Sequence, residues 1–153
     1  MIVKIFELNK INLKKNNLFL LYGENDGYKN QIIKEKFEKD FKHQIYKYDE
    51  KEILDQENDF FNTIQTKSFF EDKKLIIILR TSDKITNMIE EIILKNIQDI
   101  TFILSAGILE KKSKLRKLFE KNKNTICIPF YADNNQTLSN ISINFFREKK
   151  ISI

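Results

Sequence analysis

The residues best placed to do chemistry lie in LLYGENDGYKNQ, Leu20–Gln31. An apolar run enters a glycine-containing loop, and a helical pattern leaves it. A loop in that setting holds phosphate when it reads G-x-x-x-x-G-K-[ST]. Backbone N–H groups then wrap the phosphates, the lysine contacts them and the hydroxyl holds magnesium. Laid on Gly23, the pattern keeps Lys29 but places Tyr28 at the second glycine and Asn30 at the hydroxyl. Gly27 falls one place early, and Glu24 and Asp26 would repel a triphosphate. The run LIIIL ends in Arg80-Thr81-Ser82-Asp83, so no acidic pair follows it directly to anchor magnesium. The setting is that of a nucleotide site and the chemistry is not. The expectation is a degenerate phosphate loop at Gly23, Gly27, Lys29 and Asn30, with no cofactor, no metal and no catalytic residue.

Other reactive residues are few. Cys127 is the single cysteine and His43 the single histidine, which excludes a disulfide framework and a Cys/His zinc site. Cys127 sits in the apolar run TICIPF and reads as a small core residue. A Ser–His–Asp arrangement would have to use His43, and no nucleophile elbow surrounds it. The densest basic cluster is Lys111, Lys112, Lys114, Arg116 and Lys117, continuing to Lys121 and Lys123. Residues three or four apart there share a helix face and could meet phosphates. A solvated helix face is the plainer reading. No aromatic interleaving points to single-strand stacking.

The elements that must position these residues alternate. Apolar runs of strand length fall at Leu18–Tyr22, Gln44–Tyr48, Leu75–Leu79, Thr101–Leu104 and Thr125–Ile128. Three are apolar throughout, as suits strands buried on both faces of a parallel sheet. Between them run amphipathic helical stripes. The first is Tyr28, Ile32, Ile33, Phe37 and Phe41; the second is Ile53, Leu54, Phe60, Phe61 and Ile64. The third is Ile85, Met88, Ile89, Ile92 and Ile93; the fourth is Leu115, Leu118 and Phe119, with Ser113 as N-cap. Alternation of this kind predicts a three-layer α/β domain with a mainly parallel five-stranded sheet and helices on both faces. Tyr131–Thr137 is polar and reads as a linker. Leu138, Ile141, Phe145 and Phe146 then start a fifth helix.

The chain has 153 residues, enough for one ordinary domain, with 41% hydrophobic residues to build its core. Net charge is +5, mostly interleaved Lys and Glu, which neither demands nor forbids an anionic partner. MIVKIFELNK lacks the apolar core of a signal peptide, and no run approaches membrane-spanning length. The cytoplasm is the expected compartment, with no membrane partner.

FLLYGENDGYKNQ, then TKSFFEDKKLIIILR, then SAGILEKKSKLRKLFEK with TICIPFYADN resembles the N-terminal domain of the delta subunit of bacterial DNA polymerase III. The resemblance runs in order along most of the chain, and its most specific part is Ala106–Lys121 continuing to Tyr131. It implies an AAA+-like (P-loop NTPase-like) domain over residues 1–130 without ATPase competence. It also implies that residues 131–153 are the linker and first helix of a truncated second, helical domain.

The function implied is that of a non-catalytic clamp-loader module in DNA replication. It would bind and help open the sliding clamp (the beta subunit), meet other clamp-loader subunits in the full-length protein and contact DNA indirectly. In the family the clamp is gripped by an exposed hydrophobic pair before the third strand. The matching segment is Ser68-Phe69-Phe70, bordered by Thr66, Lys67 and Glu71. Two adjacent phenylalanines cannot both point at one core from a helix end, so one exposed aromatic is expected there as an interface anchor. The bland reading is that both close the core. The competing functions are a small nucleotide-binding or NTPase domain using Lys29, and a basic nucleic-acid-binding module.

Overall fold

The computed structural model describes residues 1–10, 17–65, 73–97 and 99–130. Within them, five strands pair into one sheet: β1 (Leu18–Gly23), β2 (Gln44–Asp49), β3 (Lys74–Thr81), β4 (Ile100–Ala106) and β5 (Thr125–Phe130). Each covers its expected run and extends it by one residue or more. The spatial order is β2-β3-β4-β1-β5, and every pairing between these strands is parallel. β1 lies between β4 and β5, with Leu20 opposite Leu104 on one side and Cys127 on the other.

This order dictates the layers. The connection from β1 to β2 crosses the sheet in one direction, and the next three connections run in the other. Crossovers between parallel strands are right-handed, so the first helix falls on one face and the rest on the opposite face. Phe19, Leu21, Ile77, Ile103 and Ile128 accordingly pack with Ile32, Ile33 and Phe37, from α1 (Asp26–Ile32) and the wider π turn that continues it over Ile33–Glu38. Leu18, Leu20, Ile76, Ile78 and Leu104, at alternate positions, share a core with the helices that follow β2, β3 and β4. The ring centroids of Phe19 and Phe37 lie 4.9 Å apart, edge to face. Burying these side chains on both sides stabilises the sheet by about 1.5–3 kcal/mol each.

The second expected stripe belongs to two helices rather than one. α2 (Glu50–Asp55) stops at Gln56, whose backbone leaves the helical region at φ −137°, ψ 57°. α3 (Glu57–Gln65) restarts at once, with Phe60 N–H donating to Gln56 O. The break re-phases the chain so that Ile53, Phe60 and Ile64 all enter the same core. α4 (Thr86–Lys95) buries Met88, Ile89 and Ile92 and ends on Asn96 in the left-handed region at φ 47°. Asparagine is one of the few non-glycine residues suited to that closure. α5 (Lys114–Lys121) begins at the expected Ser113 cap, whose hydroxyl accepts from Arg116 N–H.

The N-terminal residues have a role that three-residue patterning does not reveal. Val3 N–H donates to Cys127 O, and Cys127 N–H donates to Met1 O, both at 2.9 Å. Met1–Val3 thereby lies along the outer edge of β5, which also carries Pro129, a residue suited to edge strands. The expected linker and fifth helix, and Ser68, Phe69 and Phe70, lie outside the described residues.

Candidate functional site at the end of the first strand

In a parallel sheet, ligands bind beyond the carboxyl ends of the strands where the strand order reverses. Here that point is the loop after β1. Gly23 has φ +130°, and a Cβ at this position would stand 1.7 Å from Phe130 O. Only glycine tolerates both that backbone and that approach. Gly27 has no such role: it sits inside α1 at an ordinary φ, and a Cβ there would meet only Asn25 Oδ1 at 3.9 Å. Of the two loop glycines, only Gly23 is required by its backbone and by the close approach of β5.

Five of the loop's N–H donors are committed inside the protein. Gly23 N–H donates to Gly107 O at 2.9 Å and Glu24 N–H to Phe130 O at 3.2 Å. Asp26 N–H bonds Glu24 O, Lys29 N–H bonds Asn25 O, and Tyr28 N–H bonds the Asn25 side chain. These are the groups that would have to turn outward to wrap a phosphate.

Lys29 is 1% exposed. Its Nζ donates to Gly23 O at 2.7 Å and to Ala106 O at 2.5 Å, and meets Asp26 Oδ1 at 2.8 Å. An ammonium has three donors and no acceptor, so these three partners use it fully. The lysine that matches the phosphate-loop pattern is turned into the protein. Asp26, which the sequence placed as a repellent of triphosphate, is its ion-pair partner. Asn30, at the hydroxyl position, is exposed on α1.

The acidic residues around the site are also spent on structure. The Glu50 carboxylate, buried at the start of α2, accepts from Ser82 N–H at 2.7 Å and from the Ser82 hydroxyl. Asp83 Oδ1 accepts from the Ser113 hydroxyl at 2.5 Å and from Leu115 N–H at 3.2 Å. The Ser113 hydrogen bond is the main reason the Asp83 carboxyl titrates below its ordinary range. The residues following β3 thus tie α2 to the start of α5. Among the described residues, no group of three or more His, Cys, Asp or Glu side chains is arranged to hold a metal ion.

The candidate basic patch loses a member. Lys111, Lys112, Lys114 and Lys117 are exposed, and Lys114 and Lys117 line a groove between α4 and α5 with Lys121 and Glu90. Arg116 instead turns inward: Nε donates to Glu120 at 2.6 Å, Nη1 donates to Leu109 O at 2.9 Å, and the guanidinium lies over Tyr22. The i, i+4 spacing of Arg116 and Glu120 is the sequence signal for this pair. His43 is exposed just before β2, at the opposite end of the strands from Ser82 and Asp83. Cys127 is fully buried, and burial pushes its thiol up to about 12.

Strand order, layers and switch point define the class: a three-layer α/β domain built on a parallel five-stranded sheet. The model of the family DNA polymerase III, delta subunit, matches residues 19–130, and the chain belongs to that family. Among solved structures, the chain is similar to the Bacillus subtilis DNA clamp loader delta protein, with a TM-score of 0.66 and 16% identity. That likeness shows the fold, and it covers 94% of this chain and 46% of the other. The chain therefore spans about half the length of that relative. No curated protein matches the sequence. No helix among the described residues is long and apolar enough to cross a membrane.

Proposed function

We propose that this chain is a non-catalytic clamp-loader module that binds the sliding clamp and favours its open form during DNA replication. The observation that carries this reading is the family membership over residues 19–130. The commitment of Lys29 and of the loop N–H groups supports the non-catalytic half, because the site retains no free lysine donor for a phosphate. The nucleotide-binding alternative would require that ammonium to leave three partners.

Clamp contact is assigned to Ser68, Phe69 and Phe70, with the aromatics as anchors and neighbouring polar residues as rim. The mechanism is mechanical. A module that binds the open ring more tightly than the closed one shifts the ring by that difference in affinity, with no covalent step. Residues 131–153 are assigned to the linker and first helix of a second helical domain, and contacts with other loader subunits belong to the full-length protein. The exposed lysines from Lys111 to Lys117 support a secondary reading as a polyanion-facing surface. The test is titration of the chain against its cognate clamp, wild type beside a Phe69→Ala, Phe70→Ala variant.

A further inference from the structure

A cavity of about 710 Å³ lies at the opposite end of the sheet from the Gly23 loop. The sheet is parallel, so all five strands begin at this end. Residues at or just before each start line the wall: Asn17, His43, Lys74, Ile100 and Asn124. Phe41, half-buried just beyond the π turn after α1, adds an apolar side. The volume falls in the range of sites that take a ligand or a few inserted side chains.

The lining is cationic on balance. Lys36, Lys42, Lys73 and Lys74 stand with two carboxylates, Asp40 and Asp99. The lysines are not equivalent. Lys74 Nζ donates to Thr63 O at 2.8 Å and lies 5.9 Å from the centroid of the Tyr46 ring, so its ammonium is engaged. Lys42 and Lys73 are exposed, and neither has an ion-pair partner among the described residues. Cations on the rim of a concave site concentrate positive potential there.

We propose that this cavity receives an acidic segment of the sliding clamp, whose carboxylates meet Lys42 and Lys73. The proposal rests on the clamp reading above and adds a second contact to it. Lys73 follows Phe70 by three residues. Three residues of chain span at most about 11 Å, so a partner held on Phe70 is brought beside the rim of the cavity. Complementary charge at that distance fixes the register of docking and speeds encounter. A duplex fits less well. Its phosphates form a continuous row of charge, which would run past Asp40 and Asp99, whereas a short acidic segment can seat its carboxylates on the two lysines alone.

The test is clamp titration of the chain at about 0.1 M and about 1 M salt, between which the Debye length falls from about 10 Å to about 3 Å. Lys42→Glu, Lys73→Glu should bind at least about tenfold more weakly than wild type at the lower salt and within about threefold of it at the higher. Both side chains are exposed, so its thermal melt should match wild type; Lys42→Gln, Lys73→Gln should shift affinity in the same direction by less. Lys51→Glu, Lys84→Glu makes the same charge change at exposed positions near the carboxyl ends of the strands and should stay within about threefold of wild type at both salts. Equal loss in Lys42→Glu, Lys73→Glu and Lys51→Glu, Lys84→Glu overturns the proposal, because net charge would then explain it. Wild-type affinity in Lys42→Glu, Lys73→Glu also overturns it; with binding lost in Phe69→Ala, Phe70→Ala, that result strikes the cavity and spares the clamp reading. No clamp binding by wild type overturns both. Duplex DNA binding that Lys42→Glu, Lys73→Glu abolishes, with clamp affinity unchanged, assigns the cavity to nucleic acid and overturns the proposal.

Discussion

Lys29 Nζ lies 2.5 Å from the carbonyl oxygen of Ala106, a residue 77 positions away at the end of β4. The lysine that matches the phosphate-loop pattern here bridges Gly23 O and Ala106 O at the ends of two neighbouring strands. Its ammonium serves as an internal strut.

The strut should be visible in stability and not in ligand binding. Lys29→Met leaves the carbonyls of Gly23 and Ala106 short of a donor, so urea unfolding should show a loss of about 1–3 kcal/mol. Wild type should show no saturable magnesium-dependent ATP binding. Saturable binding that disappears in Lys29→Met would restore the nucleotide reading.

The two loop glycines should behave in opposite ways. Gly23→Ala drives a methyl into Phe130 O and demands a backbone that alanine resists, so a loss above about 3 kcal/mol or failure to fold is expected. Gly27→Ala places a methyl in ordinary contact within a helix and should stabilise by up to about 1 kcal/mol. Thermal melts of the two variants side by side check this.

Asp83 gives the acid limb of stability a specific contributor. Its folded pKa lies below the ordinary value of 3.8, first through the Ser113 hydroxyl and then through backbone N–H groups of α5, against an opposing contribution from burial. A carboxyl of this kind stabilises the fold above its unfolded pKa and loses that contribution as pH falls through the folded value. Between about pH 5 and pH 2, wild type should lose more stability than Asp83→Asn. Parallel acid limbs would remove Asp83 from the account.

Cys127 should be silent to thiol reagents in the native state. Its thiol is fully buried and its pKa is raised to about 12, so neither access nor thiolate is available near neutral pH. Labelling should follow global unfolding and accelerate with urea. Rapid labelling of folded protein would contradict the core assignment.

The fold was legible because its signals are long and local. Runs such as LIIIL and the spacing of Met88, Ile89 and Ile92 follow directly from burial, and Ser113 announces its cap. What stayed hidden depends on tertiary contact. No sequence pattern shows Lys29 turning toward Ala106, Asp83 reaching Ser113, or Met1 seating against Phe119. The break at Gln56 was hidden because Ile53, Phe60 and Ile64 fit one stripe until the backbone is seen to reset between them. Arg116 stands in a run of charged residues, yet Glu120 and Leu109 hold it inward.

The central claim is that this chain grips a sliding clamp through Phe69 and Phe70. Titrating the folded chain against its cognate clamp, beside the folded Phe69→Ala, Phe70→Ala variant, tests it most directly. The account predicts saturable binding by the wild type and a loss of at least about thirtyfold in affinity in the variant, as for paired aromatic anchors. Unchanged affinity in the variant would contradict the assigned contact, and no binding by the folded wild type would contradict the clamp role of this chain.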